Sequence, residues 1–574
     1  MAGLAVAVTA LLVVVFYYPV GTVIVEAVGD ERGPLAAFAA LLRDPFYFGE
    51  LARLVAGESP LAVGRDLLAG DRRLGVVGFT AYQALLSTVA SVAIGLPAAY
   101  ALARYEFPGR RTLRSLTLLP FVLPSIMVAV GFVAAFGEDG PVNAALGTVG
   151  LSIDLFTLEA IVVAHAFYNA PLVARVVTAA WESVDAGAVE TARSLGASRS
   201  RAFLDVVAPQ LLPAVAMGAT LTFVFTFGTF PIVLALGGAE YTVLEERIFR
   251  LVQELAYAEA AALAVIELAI SLGVLYLYLR IEARQAGGRT ARPLPRRRLR
   301  PPELSVRALV PRVGLVAYGL VAAGLFLAPI ASMLGASVTN AGGVTLEHYQ
   351  FLLERQAEGA AFQAQPLPAI RNSLLFGAGA LAVALPTGVV IAVLTTRSYR
   401  GRKLIDTVAM APLAISGVVL GLGLLRGLVF GVEVGGTRLA VGGAAAIVAA
   451  HAVAGYPFVV RTVAPELETL DAQLAESARA LGATRVRALL DVELPLVWPG
   501  VLAGAALALA LSIGEFSATV VLATGADQFT MPVAIERFIG RRLGPATAMG
   551  VVLLAVTSAS FLAIDRLGGD RGGL

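Results

Sequence analysis

The stretch Glu190-Thr-Ala-Arg-Ser-Leu-Gly-Ala-Ser-Arg-Ser-Arg-Ala-Phe-Leu-Asp-Val-Val-Ala-Pro209 recurs without a gap as Glu476-Ser-Ala-Arg-Ala-Leu-Gly-Ala-Thr-Arg-Val-Arg-Ala-Leu-Leu-Asp-Val-Glu-Leu-Pro495. Thirteen of the twenty positions are identical. Chance does not supply such a match in a polar segment. The register continues upstream through Asp185 and Asp471, Arg175 and Arg461, Pro171 and Pro457, and His165 and His451. Downstream it holds through Pro213 and Pro499 to Gly228 and Gly514. Self-similarity in a constant register marks an internal duplication, so the chain is read as two copies of one plan.

Around each copy the sequence turns apolar. Of 574 residues 58% are hydrophobic and only 15% charged, with mean hydropathy +0.81. A soluble chain carries about 25% charged residues. Apolar runs fall near 4–28, 76–103, 115–136, 157–180, 211–236 and 258–279, and again near 313–337, 372–396, 405–430, 441–463, 496–523 and 546–564. Most reach the ~18 residues that read as a membrane span. None alternates as barrel strands do, so backbone hydrogen bonding in lipid leaves helices. The expectation is an all-α membrane protein of about twelve transmembrane helices. They form two homologous six-helix halves, related by a pseudo-two-fold axis along the membrane normal. Residues 1–282 form the first half with its polar loop at 181–213, and residues 313–574 the second with its loop at 467–499. The run from Leu4 lacks a basic leader and reads as a retained first helix.

Charge placement sets the sides. The segment joining the halves, 283–312, is rich in Arg and broken by Pro293, Pro295, Pro301 and Pro302. The positive-inside rule puts this linker in the cytoplasm, which explains its charge more simply than a nucleic-acid surface. Arg104, Arg110, Arg111 and Arg114, and in the second half Arg397, Arg400, Arg402 and Lys403, fall on the same side. Strict alternation then places both termini and both duplicated loops inside, and 29–75 outside.

Each loop reads as two short helices set at an angle. Asp185 and Asp471 are candidate N-caps, where a carboxylate accepts orphan backbone N–H groups. Gly196 and Gly482 end the first helix in the left-handed conformation that glycine adopts cheaply. Ser198 and Thr484 cap the second helix, and Pro209 and Pro495 end it and open the next span. Val189, Ala192 and Leu195, with Leu474, Ala478 and Leu481, give the first helix an apolar stripe suited to a partner's groove.

The pattern Glu-x-Ala-x-x-x-Gly followed by Leu/Ala-Pro resembles the EAA loop of MetI-like importer permeases of the ATP-binding-cassette (ABC) class. The resemblance implies that Glu190, Ala192, Gly196 and Pro209, with Glu476, Ala478, Gly482 and Pro495, belong to a pair of coupling helices. These would insert into two copies of an ABC ATPase subunit at the cytoplasmic membrane. It also implies an extracytoplasmic solute-binding protein as partner, a lipid bilayer as medium, no cofactor and no covalent chemistry. Fused permeases of this size resemble the thiamine and ferric-iron subgroup. His165–Arg175 and Phe227–Gly238 are similar to thiamine permeases. Gly514-Glu-Phe-Ser-Ala-Thr519 is closer to molybdate and ferric-iron permeases, which leaves an oxyanion such as molybdate or sulfate as the alternative.

Other chemistry finds little footing. No cysteine is present, which removes thiolate catalysis and Cys-ligated metals. Lys403, the only lysine, stands in Gly-Arg-Lys-Leu, so the chain holds no P-loop. His165 and His451 lack the companions of a metal site and are expected to bond within the helix bundle. Intramembrane ionisable groups are the default pointers to a solute path. Glu515 is the candidate, with Gly514 beside it and Gly228 and Thr229 at the matching positions. Glu267 and Arg426 are expected to be structurally paired or interfacial. An ion-coupled secondary transporter would leave the duplicated loop unexplained.

Overall fold

The computed structural model describes residues 2–29, 33–55, 57–59, 74–116, 123–138, 140–148, 150, 152–238, 240–285, 297–298, 306–354, 365–397 and 402–567. Most of the 283–312 linker, residues 60–73 of the external loop, and Arg400 lie outside the described residues.

Among the described residues ten helices are long and apolar enough to cross a membrane. They are Gly3–Val28, Gly75–Arg104, Ser125–Gly147, Leu158–Glu182, Arg199–Phe227, Tyr257–Ile281, Arg312–Ser337, Pro366–Thr396, Gly443–Thr469 and Leu543–Ser560. Two bent pairs, Asp406–Ala414 with Gly417–Val429 and Arg485–Leu496 with Trp498–Ile513, raise the number to twelve if each is one span. The protein is thus an all-α membrane protein.

The bends have local causes. Between the first pair Ile415 is extended (φ −104°, ψ 131°), and the Ser416 hydroxyl accepts from Val419 N at 3.4 Å, restarting the helix with a cap. The 102° bend follows. In the second pair, bent by 80°, Pro495 and Pro499 remove two amide donors on either side of Val497. The third span also departs from the apolar run at 115–136. Its described helix opens only after Pro124, with Ser125.

The packing divides the chain into two compact units that are not its two sequence copies. One holds Met1–Leu41, Glu245–Leu268 and Leu334–Leu574; the other holds Leu42–Leu244 and Ala269–Met333. In the first, Pro366–Thr396 packs on Gly443–Thr469 and Trp498–Ile513 around Ala384, Ile391, Tyr456, Val459 and Val501. Small residues permit this approach: a Cβ on Gly388 would lie 2.5 Å from that of Val459. The opening helix of the chain joins this unit, with Leu12 in its core and the Tyr17 hydroxyl donating to Val408 O at 2.6 Å. Arg426 pairs with Glu26 at 2.8 Å, which accounts for a charge inside the ninth apolar run.

In the other unit Gly75–Arg104 packs on Leu158–Glu182 and Ala208–Phe227. The helix that opens the second sequence half lies with it. Phe326 stacks on Phe167 with ring centroids 5.0 Å apart, and the Tyr318 hydroxyl donates to Ile94 O. Each unit is therefore completed by the first helix of the other half.

Candidate functional site

The duplicated loops take the same local form twice. Asp185 caps Ala186–Ser194 by accepting from Gly187 N at 3.0 Å, and Asp471 caps Ala472–Ala480 by accepting from Gln473 N at 3.0 Å. At the far ends Gly196 and Gly482 have φ of +92° and +94°. Gly196 N donates to Arg193 O at 3.0 Å and Ala197 N to Ala192 O at 3.1 Å. The second copy repeats these bonds at Gly482 and Ala483, each at 3.0 Å. This is the paired closure of a Schellman turn. The next helix starts at once, with Ser198 accepting from Arg201 N and Thr484 from Arg487 N, each at 3.2 Å.

Past this point the two copies differ from the expectation for proline. Pro209 does not end a helix. Arg199–Ala202, a π-helical turn Phe203–Val207 and Ala208–Phe227 follow one another as a single span. The wide turn removes the carbonyl a proline ring would strike, so the missing N–H is absorbed. In the second copy a π-helical turn Leu489–Glu493 precedes Pro495 as well, but the break comes after it, at Val497 (φ −98°, ψ 15°).

Each loop is fixed at its base and open at its tip. Trp181, Val184, Val207 and Leu211 are buried together with Ala99 and Ala103. Arg110 and Arg114 reach Glu182 at 2.9 and 3.3 Å, and in the second half Arg397 reaches Glu493 at 2.8 Å. Glu190, Glu476 and both turn glycines are exposed, while Ala192 and Ala478 are half-buried. Leu195 is 83% exposed and Leu481 90%. An apolar side chain held that far out on a fully bonded turn is a knob without a hole. Sequence spacing assigned both leucines to the apolar stripe; it does not reveal that they are the most exposed members.

The intramembrane candidates form matched bonded clusters. His165, buried, has Nδ1 3.0 Å from Ser87 Oγ and Nε2 3.2 Å from Thr229 Oγ1. His451, also buried, has Nδ1 2.8 Å from Ser512 Oγ and Nε2 2.8 Å from Thr519 Oγ1 and 3.3 Å from Glu515 Oε2. Gly228 and Gly514 end their helices at equivalent places, and short helices Pro231–Leu236 and Ser517–Leu522 follow. Glu515 accepts from Ala518 N at 2.7 Å, Thr519 N at 3.0 Å and Thr519 Oγ1 at 2.6 Å. Its carboxylate thus holds the start of the short helix. In the first half Pro231 opens that helix with one orphan donor fewer, and the neutral Thr229 stands in the place of Glu515.

The sequence as a whole has relatives. The model of the family described as binding-protein-dependent transport system inner membrane component matches residues 91–286 and again 384–569. The thiamine transport system permease protein ThiP of Brucella abortus (strain 2308) is 28% identical over 505 residues, covering 86% of this chain and 88% of its own. ThiP of Escherichia coli (strain K12) is 27% identical over 515 residues, covering 86% and 89%. The sulfate transport system permease protein CysT of Salmonella typhimurium is 32% identical over 224 residues, 38% of this chain and 80% of its own.

Proposed function

The chain belongs to the family of binding-protein-dependent transport system inner membrane components, and we propose that it is the fused permease of a thiamine importer. It is an ABC permease and not an enzyme; the ATPase is a separate subunit. The observation that carries the importer's mechanism is the pair of capped turns ending in Leu195 and Leu481, identical in bonding and open at the tip.

In this reading Leu195 and Leu481 each seat in a groove on one of two ATPase copies. The Asp caps and left-handed glycines hold each helix rigid enough to transmit force, and the Arg–Glu anchors pass it to the spans. Closure of the ATPase pair around ATP draws the loops together and opens the permease outward. A solute-binding protein then delivers its cargo, and hydrolysis resets the inward state. Both termini, the 283–312 linker and both loops lie in the cytoplasm. The bonded breaks at Gly228–Thr229 and Gly514–Glu515 lie beside the solute path.

Thiamine is favoured because the thiamine permeases match both halves in one alignment, whereas the sulfate permease matches over the length of a single half. The test is uptake by proteoliposomes carrying the permease, its ATPase and its binding protein, offered thiamine, ferric iron, molybdate and sulfate in turn. ATP-dependent accumulation of thiamine alone is the expected result. Accumulation of an oxyanion or of iron instead replaces the substrate; accumulation of any solute without the ATPase overturns the mechanism.

A further inference from the structure

A cavity of about 340 Å³ lies in the unit that holds Leu42–Leu244 and Ala269–Met333, between the spans Gly75–Arg104, Leu158–Glu182 and Arg312–Ser337. Its wall on Arg312–Ser337 runs from Leu315 to Ile330, about 22 Å of helix at ~1.5 Å per residue. Small residues, among them Gly95, Ala98, Ala170 and Ala322, leave the room. The floor is closely packed, since a Cβ on Gly95 would lie 2.8 Å from Ala170 O. The opposite wall is open: a Cβ on Gly319 would meet nothing within 4 Å. Val316 and Leu327 line the cavity and are 47% and 60% exposed, so it opens to the lipid beside its helix.

The wall selects hydrocarbon. Of the described lining residues only Tyr318 carries a polar side-chain atom, and that hydroxyl already donates to Ile94 O. A polar solute would give up its water there without compensation. An acyl chain would not, and the wall is long enough for one leaflet, half of the ~30 Å hydrocarbon core.

One end of the cavity is basic. Phe107 and Leu113 line it there, Leu113 from the short helix Arg110–Leu116. Arg110 Nε donates to the carbonyl of Leu102, itself a lining residue, at 2.7 Å, and Arg110 Nη2 reaches Glu182 at 2.9 Å. Arg104, Arg110, Arg111 and Arg114 gather at this end against Glu106 and Glu182, four positive charges against two negative. Arg111 and Arg114, on either side of Leu113, are exposed. Arginines at the cytoplasmic mouth of a groove between spans attract anionic headgroups by about 1 kcal/mol each, and a guanidinium matches phosphate in two-point contact.

We propose that this cavity holds one acyl chain of an anionic phospholipid of the cytoplasmic leaflet, with the lipid phosphate against Arg111 and Arg114. The choice of leaflet rests on the cytoplasmic side assigned to residues 104–114; the site depends on neither the solute nor the ATPase.

The test uses the full chain in bilayers of equal parts phosphatidylcholine and phosphatidylglycerol. In one set the phosphatidylglycerol carries a photoactivatable group partway along one acyl chain; in the other the phosphatidylcholine carries it. Labelled residues are mapped by mass spectrometry after illumination. In wild type the phosphatidylglycerol probe is expected to label residues 315–330 at least fivefold more than the phosphatidylcholine probe. Gly319→Phe fills the cavity from its open wall and should lower that labelling tenfold or more, with labelling elsewhere unchanged. Arg111→Gln with Arg114→Gln leaves Arg110 on Glu182, and the two probes should then label within twofold of each other. Undiminished labelling in Gly319→Phe overturns the site, as does equal labelling by both probes in wild type. Preference retained in the double Gln variant overturns the headgroup contact. Should Gly319→Phe fail to insert, Ala322→Phe on the same wall is judged by the same criterion. In oriented vesicles with the probe in one leaflet, labelling only from the leaflet opposite residues 104–114 overturns the proposal. Failure of thiamine uptake moves none of these results, so the two readings fall separately.

Discussion

Replacing Gly196 or Gly482 with valine isolates the geometry of the duplicated turn. A Cβ at either position meets nothing within 4 Å, so the cost comes from the backbone alone. Holding an L-residue at φ near +92° costs about 1–2 kcal/mol, and a β-branched one lies at the upper end or beyond. If the turn relaxes instead, it gives up two closing bonds, at 3.0 and 3.1 Å in the first copy, worth about 0.5–1.5 kcal/mol each. Either route removes roughly 2–3 kcal/mol from the docked shape. At about 1.4 kcal/mol per tenfold, the competent conformation drops ~30- to 100-fold in relative population. The spans are untouched, so the permease inserts normally. In proteoliposomes with ATPase and loaded binding protein, thiamine delivered per ATP hydrolysed should fall at least tenfold. Asparagine, which tolerates the left-handed region, should retain most of the coupling, and alanine should fall between. Wild-type coupling with valine at both positions refutes the reasoning. So does asparagine behaving as badly as valine, because side-chain bulk and not φ would then be responsible.

Leu195→Asp with Leu481→Asp should abolish co-purification of the ATPase while the permease still inserts, since both residues are exposed and bear no packing load; retained co-purification counts against the knobs. Glu515→Gln loses the charge that accepts from two amides and a hydroxyl, and its heat-induced unfolding should correspond to a loss of about 1–3 kcal/mol; unchanged unfolding with impaired uptake would instead assign the carboxylate to the solute. Gly388→Leu drives a side chain into Val459, 2.5 Å from the new Cβ, and overpacking of about 1–3 kcal/mol should appear as a lower unfolding temperature.

Much of the fold was legible because lipid leaves the backbone few choices. Apolar length alone marked the helices, and the turn residues marked the loops: Asp185 and Asp471 cap, and Gly196 and Gly482 take positive φ, as their residue types predict. Pro209 misled because a wide helical turn five residues long can absorb a missing donor, and no residue pattern announces that turn. The exchange of first helices between packing units was equally hidden, since hydrophobicity says that a helix meets something apolar and not which partner it meets. Glu245 escaped notice for a related reason. It lies between two apolar runs, where an acidic residue reads as solvated, and only the fold shows its side chain buried. His451 and His165 read correctly as members of bonded clusters, because no second ligand accompanied either in the sequence.

The traded opening helices also govern the order in which the molecule can be finished. Residues 1–41 leave the ribosome long before the segment 334–574 that they pack against. Residues 42–244 likewise wait for 269–333. A chain truncated after its first six helices is therefore not half a transporter but two incomplete surfaces, recognisable to membrane quality control. Joining both halves in one polypeptide supplies each missing helix at a fixed one-to-one ratio.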